Sequence, residues 1–188
     1  MRTIFCRLWL AVLAAGGLAG CTDEGGELGA SSPILLTLGS EGTAGLRAET
    51  AFTAEAIQGG LPDTFVLEAD RVSLDSTSVP VFYAFFEGLI VLEVYPAANG
   101  RTIGRIDAAS AKVAGPGGVR PGAGFRQADG DDMACEPGRD ELEERAVCTR
   151  GGPLRYVFAH GARMAPGELP ERDVLRQSIL ERIVWVAP

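Results

Sequence analysis

VPVFYAFFEGLIVLEVY (79–95) decides the fold. It holds two apolar runs, Val79 to Phe86 and Leu89 to Tyr95, around the dipeptide Glu87-Gly88. Both runs are rich in aromatic and β-branched residues, which suit a pleated surface. A two-residue break containing Gly supplies the positive φ that a tight hairpin turn needs. The stretch therefore predicts two long antiparallel strands. Phe82, Tyr83, Phe85 and Phe86 fall on both faces of their strand, so each face needs cover.

Outward from the hairpin, the β signal continues. Thr64 to Glu68, Thr102 to Ile106, Ala111 to Ala114 and Leu154 to Ala159 read as strands. Ile34 to Leu38 reads as a first strand, and ILERIVWV (179–186) as a closing one. A short helix is predicted over Ala54 to Gln58. Thr53 can cap it, Phe52 can staple to Ile57, and Gly59-Gly60 can stop it through a left-handed residue. Pro170 fits the first position of a second helix, through Gln177. Ala128 to Gly152 is polar and acidic, with a helical turn expected within Asp140 to Ala146. The fold expected is one α+β domain dominated by antiparallel strands, with two or three short helices. Leu38 to Leu46 followed by Phe52 echoes Val113 to Gly122 followed by Phe125. A Gly-rich loop and an aromatic occur in both, so two related halves are one reading of the pattern.

The first twenty residues have the parts of an export signal. Arg2 and Arg7 precede an apolar run from Leu8 to Leu18, and no acid occurs before Asp23. The run is shorter than the roughly 20 residues needed to span a bilayer. It ends in Leu18-Ala19-Gly20-Cys21, which resembles the lipobox cut by lipoprotein signal peptidase. Cleavage before Cys21 and lipidation on its thiol are expected. Two or three acyl chains hold a protein firmly on a membrane, whereas one holds it weakly. Thr22 rather than Asp follows the cysteine, which by analogy with sorting signals favours the outer membrane, on its periplasmic side. Residues 21–33 read as the lipidated cysteine and a Gly-, Ser- and acid-rich flexible tether, and residues 34–188 as a globular periplasmic domain.

Loss of residues 1–20 removes two arginines and leaves 15 basic and 25 acidic residues, a formal charge of −10. That charge argues against nucleic acid as a partner. It also puts the burden of membrane attachment on the acyl chains rather than on anionic headgroups. An envelope protein partner is compatible with this location. With Cys21 used by lipid, Cys135 and Cys148 remain, and an even pair in an oxidising compartment reads as a disulfide. The C-x₁₂-C spacing matches neither a zinc knuckle nor a C-x-x-C redox motif.

Catalytic signals are weak, and no catalytic residue or cofactor is assigned. His160 is the one histidine, and no serine lies in a G-x-S-x-G or S-x-x-K motif. Asp129, Asp131 and Asp132 form an acidic run with some metal-like character. They lack the order and distal Glu of an EF-hand loop, so a solvated loop is the prevailing reading. Glu68, Asp70, Glu87 and Glu93 offer acids for glycoside chemistry, although such residues on strands usually form the wet face. Gly115-Pro-Gly-Gly118 has no following Lys-Ser/Thr, which excludes a P-loop.

LEVYPAANGRTIGRIDAASAKVAGPGGVRPGAGF (92–125), with LRYVFA (154–159) and the terminal IVWVAP, resembles a family of small bacterial envelope lipoproteins of unknown function. That family is typified by a lipoprotein under control of the envelope-stress sigma factor. The resemblance lies in size, lipobox and Gly-x-x-x-Gly turn. It implies an envelope setting and carries no catalytic residues. The expected function is non-enzymatic binding or envelope maintenance from the outer membrane. A cell-wall-directed hydrolase using acidic residues, or a small-ligand or inhibitor-binding module, stays open.

Overall fold

A computed structural model describes residues 33–74, 76–161, 165 and 167–188. The export signal, Cys21 and the tether up to residue 32 lie outside the described residues. The domain is α+β and mostly antiparallel, as expected from sequence. Its elements are β1 (Leu36–Gly39), β2 (Gly42–Thr43), α1 (Ala54–Gly60), β3 (Val66–Leu74), β4 (Thr77–Phe86), β5 (Leu89–Pro96), β6 (Ile103–Ala108) and β7 (Val113–Ala114). The second half holds β8 (Ala134–Pro137), β9 (Arg145–Thr149), β10 (Leu154–Ala159), α2 (Arg172–Leu175) and β11 (Ile179–Val186), with three short 3-10 turns between.

Eight strands form one antiparallel sheet in the order β3-β4-β5-β6-β11-β10-β9-β8. A small second sheet, β2-β1-β7, packs against it, with β1 and β7 parallel. The hairpin turn is as expected: Glu87 and Gly88 have φ of 51° and 78°, the paired positive angles of a type I′ turn. Ile106, Ala108, Ile183, Trp185, Leu92, Val94 and Phe158 point from one face of the large sheet into the main core. Leu36, Leu38, Leu46, Ile57 and Phe125 of the strands, helix and loops on that side fill the rest.

The order of the large sheet is two four-stranded meanders meeting at β6 and β11. Each meander follows a short strand, a Gly-rich loop and a phenylalanine. The backbone repeats too. Phe52 N–H donates to Arg101 O at 2.8 Å, and Ile103 N–H to Thr50 O at 3.0 Å. In the second half Phe125 N–H donates to Ser178 O at 3.0 Å, and Leu180 N–H to Ala123 O at 2.8 Å. Each phenylalanine also meets a ring of its own meander, Phe52 tilted against Phe82 at 5.0 Å and Phe125 edge-on to Phe158 at 4.9 Å, although Phe82 is on the second strand and Phe158 on the third. The loop echo in the sequence thus corresponds to one plan used twice, with Ile103 and Leu180 in equivalent places.

Four local expectations need correction. The α1 cap is right, since Thr53 Oγ1 accepts from Ala56 N–H. Gly59 and Gly60, however, belong to the helix, which ends at extended Leu61 without a left-handed residue. Gly60 is needed for a different reason. Gly45 N–H reaches Gly60 O at 2.8 Å, and a Cβ on Gly60 would come within 2.6 Å of Leu46 and 3.2 Å of the Gly45 backbone. The second helix is only one turn and starts at Arg172, after Pro170. The strand predicted to end at Glu68 runs on to Leu74, because it pairs with β4 along its whole length, with polar Asp70 and Arg71 exposed at the sheet edge. Finally, the polar segment 128–152 contains β8 and β9 besides the expected turn at Asp140–Leu142.

Candidate functional site

Cys135 and Cys148 sit directly opposite each other on β8 and β9 and are bonded, with Cα atoms 4.0 Å apart. The bridge closes the short hairpin that carries Asp140–Leu142. In the chain-entropy model such a loop is worth about 3 kcal/mol. β8 is four residues long and ends in Pro137, so the bond secures an edge strand with few ladder hydrogen bonds.

That hairpin loop folds back across the second face of the large sheet, where the main polar cluster lies. Asp107 on β6 has a fully buried side chain. It points away from the core, opposite Glu93 on β5 and Val184 on β11. Arg105 grips it with two bonds of 2.6 Å, from Nε and from an η-nitrogen. Arg182 on β11 adds a third contact at 3.3 Å. Arg105 and Arg182 occupy equivalent places in the two halves, two residues after Ile103 and Leu180. Their counter-ion Asp107 has Val184 as its equivalent, so one carboxylate serves both arms.

The network spreads from there. Arg105 also reaches Glu141 of the hairpin loop at 2.7 Å and lies 4.9 Å above the Tyr95 ring. Tyr95 Oη donates to Glu93 at 2.6 Å. Glu181 bridges Arg182, at 3.1 Å, and Arg145 of β9. Tyr95, Val157 and Val184 are buried beside these charges. Burial would lower the Arg105 pKa, but Asp107 and Glu141 outweigh it and hold the guanidinium above its usual value. Burial pushes Glu181 and Glu141 up. Hydrogen bonds from Arg145 and Arg182 to the first, and from Arg105 to the second, win and hold both carboxyls below the usual range. Tyr95 is raised by burial and then by its bond to Glu93.

These shifts give an expected pH dependence. A carboxyl with a depressed folded-state pKa contributes stability in full above its unfolded value, here 4.5. The contribution is lost as pH falls through the lower folded value. Urea midpoints should therefore be flat from pH 7 to about 5 and fall below that. The E141Q/E181Q double variant should be less stable at pH 7 and show a shallower fall. An unchanged acid slope would show that these two carboxyls do not carry it.

The sequence-selected acids are spread over β3, the β4–β5 turn and β5. Glu87 is in the β4–β5 turn, 3.9 Å from Lys112. Glu68 on β3 and Glu93 on β5 flank Tyr83 from opposite sides, and burial followed by Glu93 and Asp70 raises that phenol's pKa. Asp129 pairs with Arg150 at 3.0 Å. Asp131 is shared by Arg176 at 3.2 Å and Arg172 at 3.4 Å, and Arg172 also covers the Phe125 ring. Asp132 is exposed. The acidic run thus ties a loop to α2, and among the described residues no three His, Cys, Asp or Glu converge as a metal set. His160 follows β10, half-buried. The sequence reading missed Arg105, Asp107, Glu181 and Arg182. The available signal was charge placed inside strands, in R-I-D (105–107) and E-R (181–182).

The fold is an antiparallel α+β domain whose main polar cluster is arginines and carboxylates neutralising one another. The chain belongs to the family described as "Protein of unknown function (DUF1131)", whose model matches residues 31–187. Among solved structures it is similar to the crystal structure of the uncharacterized protein yfeY from Escherichia coli. That likeness has a TM-score of 0.63 at 21% identity and covers 82% of this chain and 99% of the other. It bears on the fold alone. No curated protein matches the chain significantly.

Proposed function

We propose that this member of the family is a lipid-anchored envelope protein on the periplasmic face of the outer membrane, acting by binding or envelope maintenance rather than by turnover. The observation that carries the location is Leu18-Ala19-Gly20-Cys21 at the end of an apolar, positively started segment. A Cys135–Cys148 bond suits the oxidising compartment this location implies. The non-catalytic role is supported by the polar cluster, whose ionised carboxylates are engaged with arginines rather than poised as acids or nucleophiles.

Radiolabelled palmitate tests the anchor. Label should enter the wild-type chain, whereas Cys21→Ser should take up none and stay uncut, because no thiol remains to acylate. Label in the Cys21→Ser protein would overturn the reading.

A further inference from the structure

Six large apolar side chains stand exposed among the described residues, and their distribution is uneven. Leu89 (57% exposed) and Ile90 (44%) open β5 directly after the β4–β5 turn. Val66 (61%) belongs to the same end, because it pairs with Phe85 and Phe85 pairs with Ile90. Ile34 (45%) precedes Leu35, whose N–H donates to Lys112 O at 2.8 Å. The Lys112 side chain then reaches the turn itself, with Nζ 3.9 Å from Glu87 and 5.1 Å from the Phe86 ring. A fifth, Ile179, opens β11, which starts from the same end of the antiparallel ladder.

The chain therefore enters the domain at the end where its exposed apolar residues gather. We propose that this end, with Ile34, Val66, Leu89 and Ile90, lies against the phospholipid bilayer that holds the acyl chains of Cys21. The proposal rests on the lipoprotein reading above. Twelve residues, 22–33, separate the lipidated cysteine from Ile34. At full extension they span about 40 Å. The apolar end is thus held close to the interface and needs no separate capture from solution. Lys112 lies 3.9 Å from Glu87 there and Asp63 stands exposed three residues before Val66, so the apolar side chains and the acyl chains, not headgroup charge, would hold this end of the net-acidic domain. Interfacial docking would orient the domain, leaving the β3–β4 turn and the far end of the sheet directed away from the membrane.

Trp fluorescence in full-length lipidated protein tests this. Cleavage before Cys21 removes Trp9, and Trp185 is buried, so the mature wild type supplies a shielded background. Leu89→Trp and Ile90→Trp each place a reporter at the turn, and Ser73→Trp places one on exposed β3 near its far turn. Each protein is reconstituted in phosphatidylethanolamine–phosphatidylglycerol vesicles with or without brominated acyl chains. Brominated lipid should quench both turn reporters at least about twofold and leave Ser73→Trp and wild type nearly unchanged. Unquenched turn reporters on protein that still floats with the vesicles would overturn the docking. A mature chain without acyl mass on Cys21, or one that does not float, would overturn the lipoprotein reading and this proposal with it.

Discussion

Asp107→Ala should destabilise the domain by about 3–5 kcal/mol, the usual cost of removing one partner from a buried ion pair. The variant strips the counter-ion from Arg105 and Arg182, whose side chains are only 23% and 21% exposed. Arg105 would keep Glu141, and Arg182 would keep Glu181, so the loss should fall short of stranding two bare charges. The buried Arg182 Nε already lacks a partner, so losing Asp107 adds to an existing unsatisfied donor. Because β6 and β11 join the two meanders, the lost clamp acts where the halves meet. Urea unfolding followed by circular dichroism checks the value. A cost below about 1 kcal/mol would mean that the arginines find water or other acids as readily as Asp107. Combining Asp107→Leu with Arg105→Met and Arg182→Met should recover part of the loss, since apolar groups of similar volume replace a buried pair at little cost, while Glu141 loses its Arg105 partner.

Trp185→Ala should cost a similar amount, about 3–5 kcal/mol, for a different reason. Trp185 heads the largest fully buried side chains, and its removal opens a cavity that the surrounding sheet cannot collapse to fill. Its indole Nε1–H also donates to Ser40 O at 2.9 Å, across 145 residues, tying β11 to the loop between β1 and β2. Trp185→Phe should keep much of the packing, lose that bond, and cost less than half as much. For a domain of this size the alanine variant should lower Tm by roughly 6–20 °C. A shift of only a degree or two would show that the small sheet packs on the large one without this anchor.

Local pattern was sufficient for several elements. The hairpin around Glu87-Gly88 was legible because strand propensity, burial and turn chemistry agree over seventeen consecutive residues. Leu154–Ala159 and Ile179–Val186 were legible for the same reason, as apolar β-rich runs with clear ends. The disulfide followed from counting cysteines. β8 and β9 were not legible. Their segment is acidic and broken by Pro and Gly, and it becomes strand by pairing with β10 and by the Cys135–Cys148 bond. The polar cluster was hidden too. Arg105, Asp107, Glu141, Arg145, Glu181 and Arg182 come from three strands and a loop, and no local window contains them.

The sequence by itself determined the strand-rich class, the central hairpin and the closing strand, because each depends on neighbours within a few residues, and the cysteine pair, because the count left one pairing. Only the tertiary structure decided that two meanders meet at β6 and β11, that Gly60 is required by close approach to Gly45, and that two equivalent arginines share one buried aspartate. Those outcomes depend on contacts between residues up to 81 positions apart, as Arg105 and Val186 are in the β6–β11 ladder. Such contacts are set by which faces pack and which charges can be neutralised after burial, and local periodicity carries no record of either.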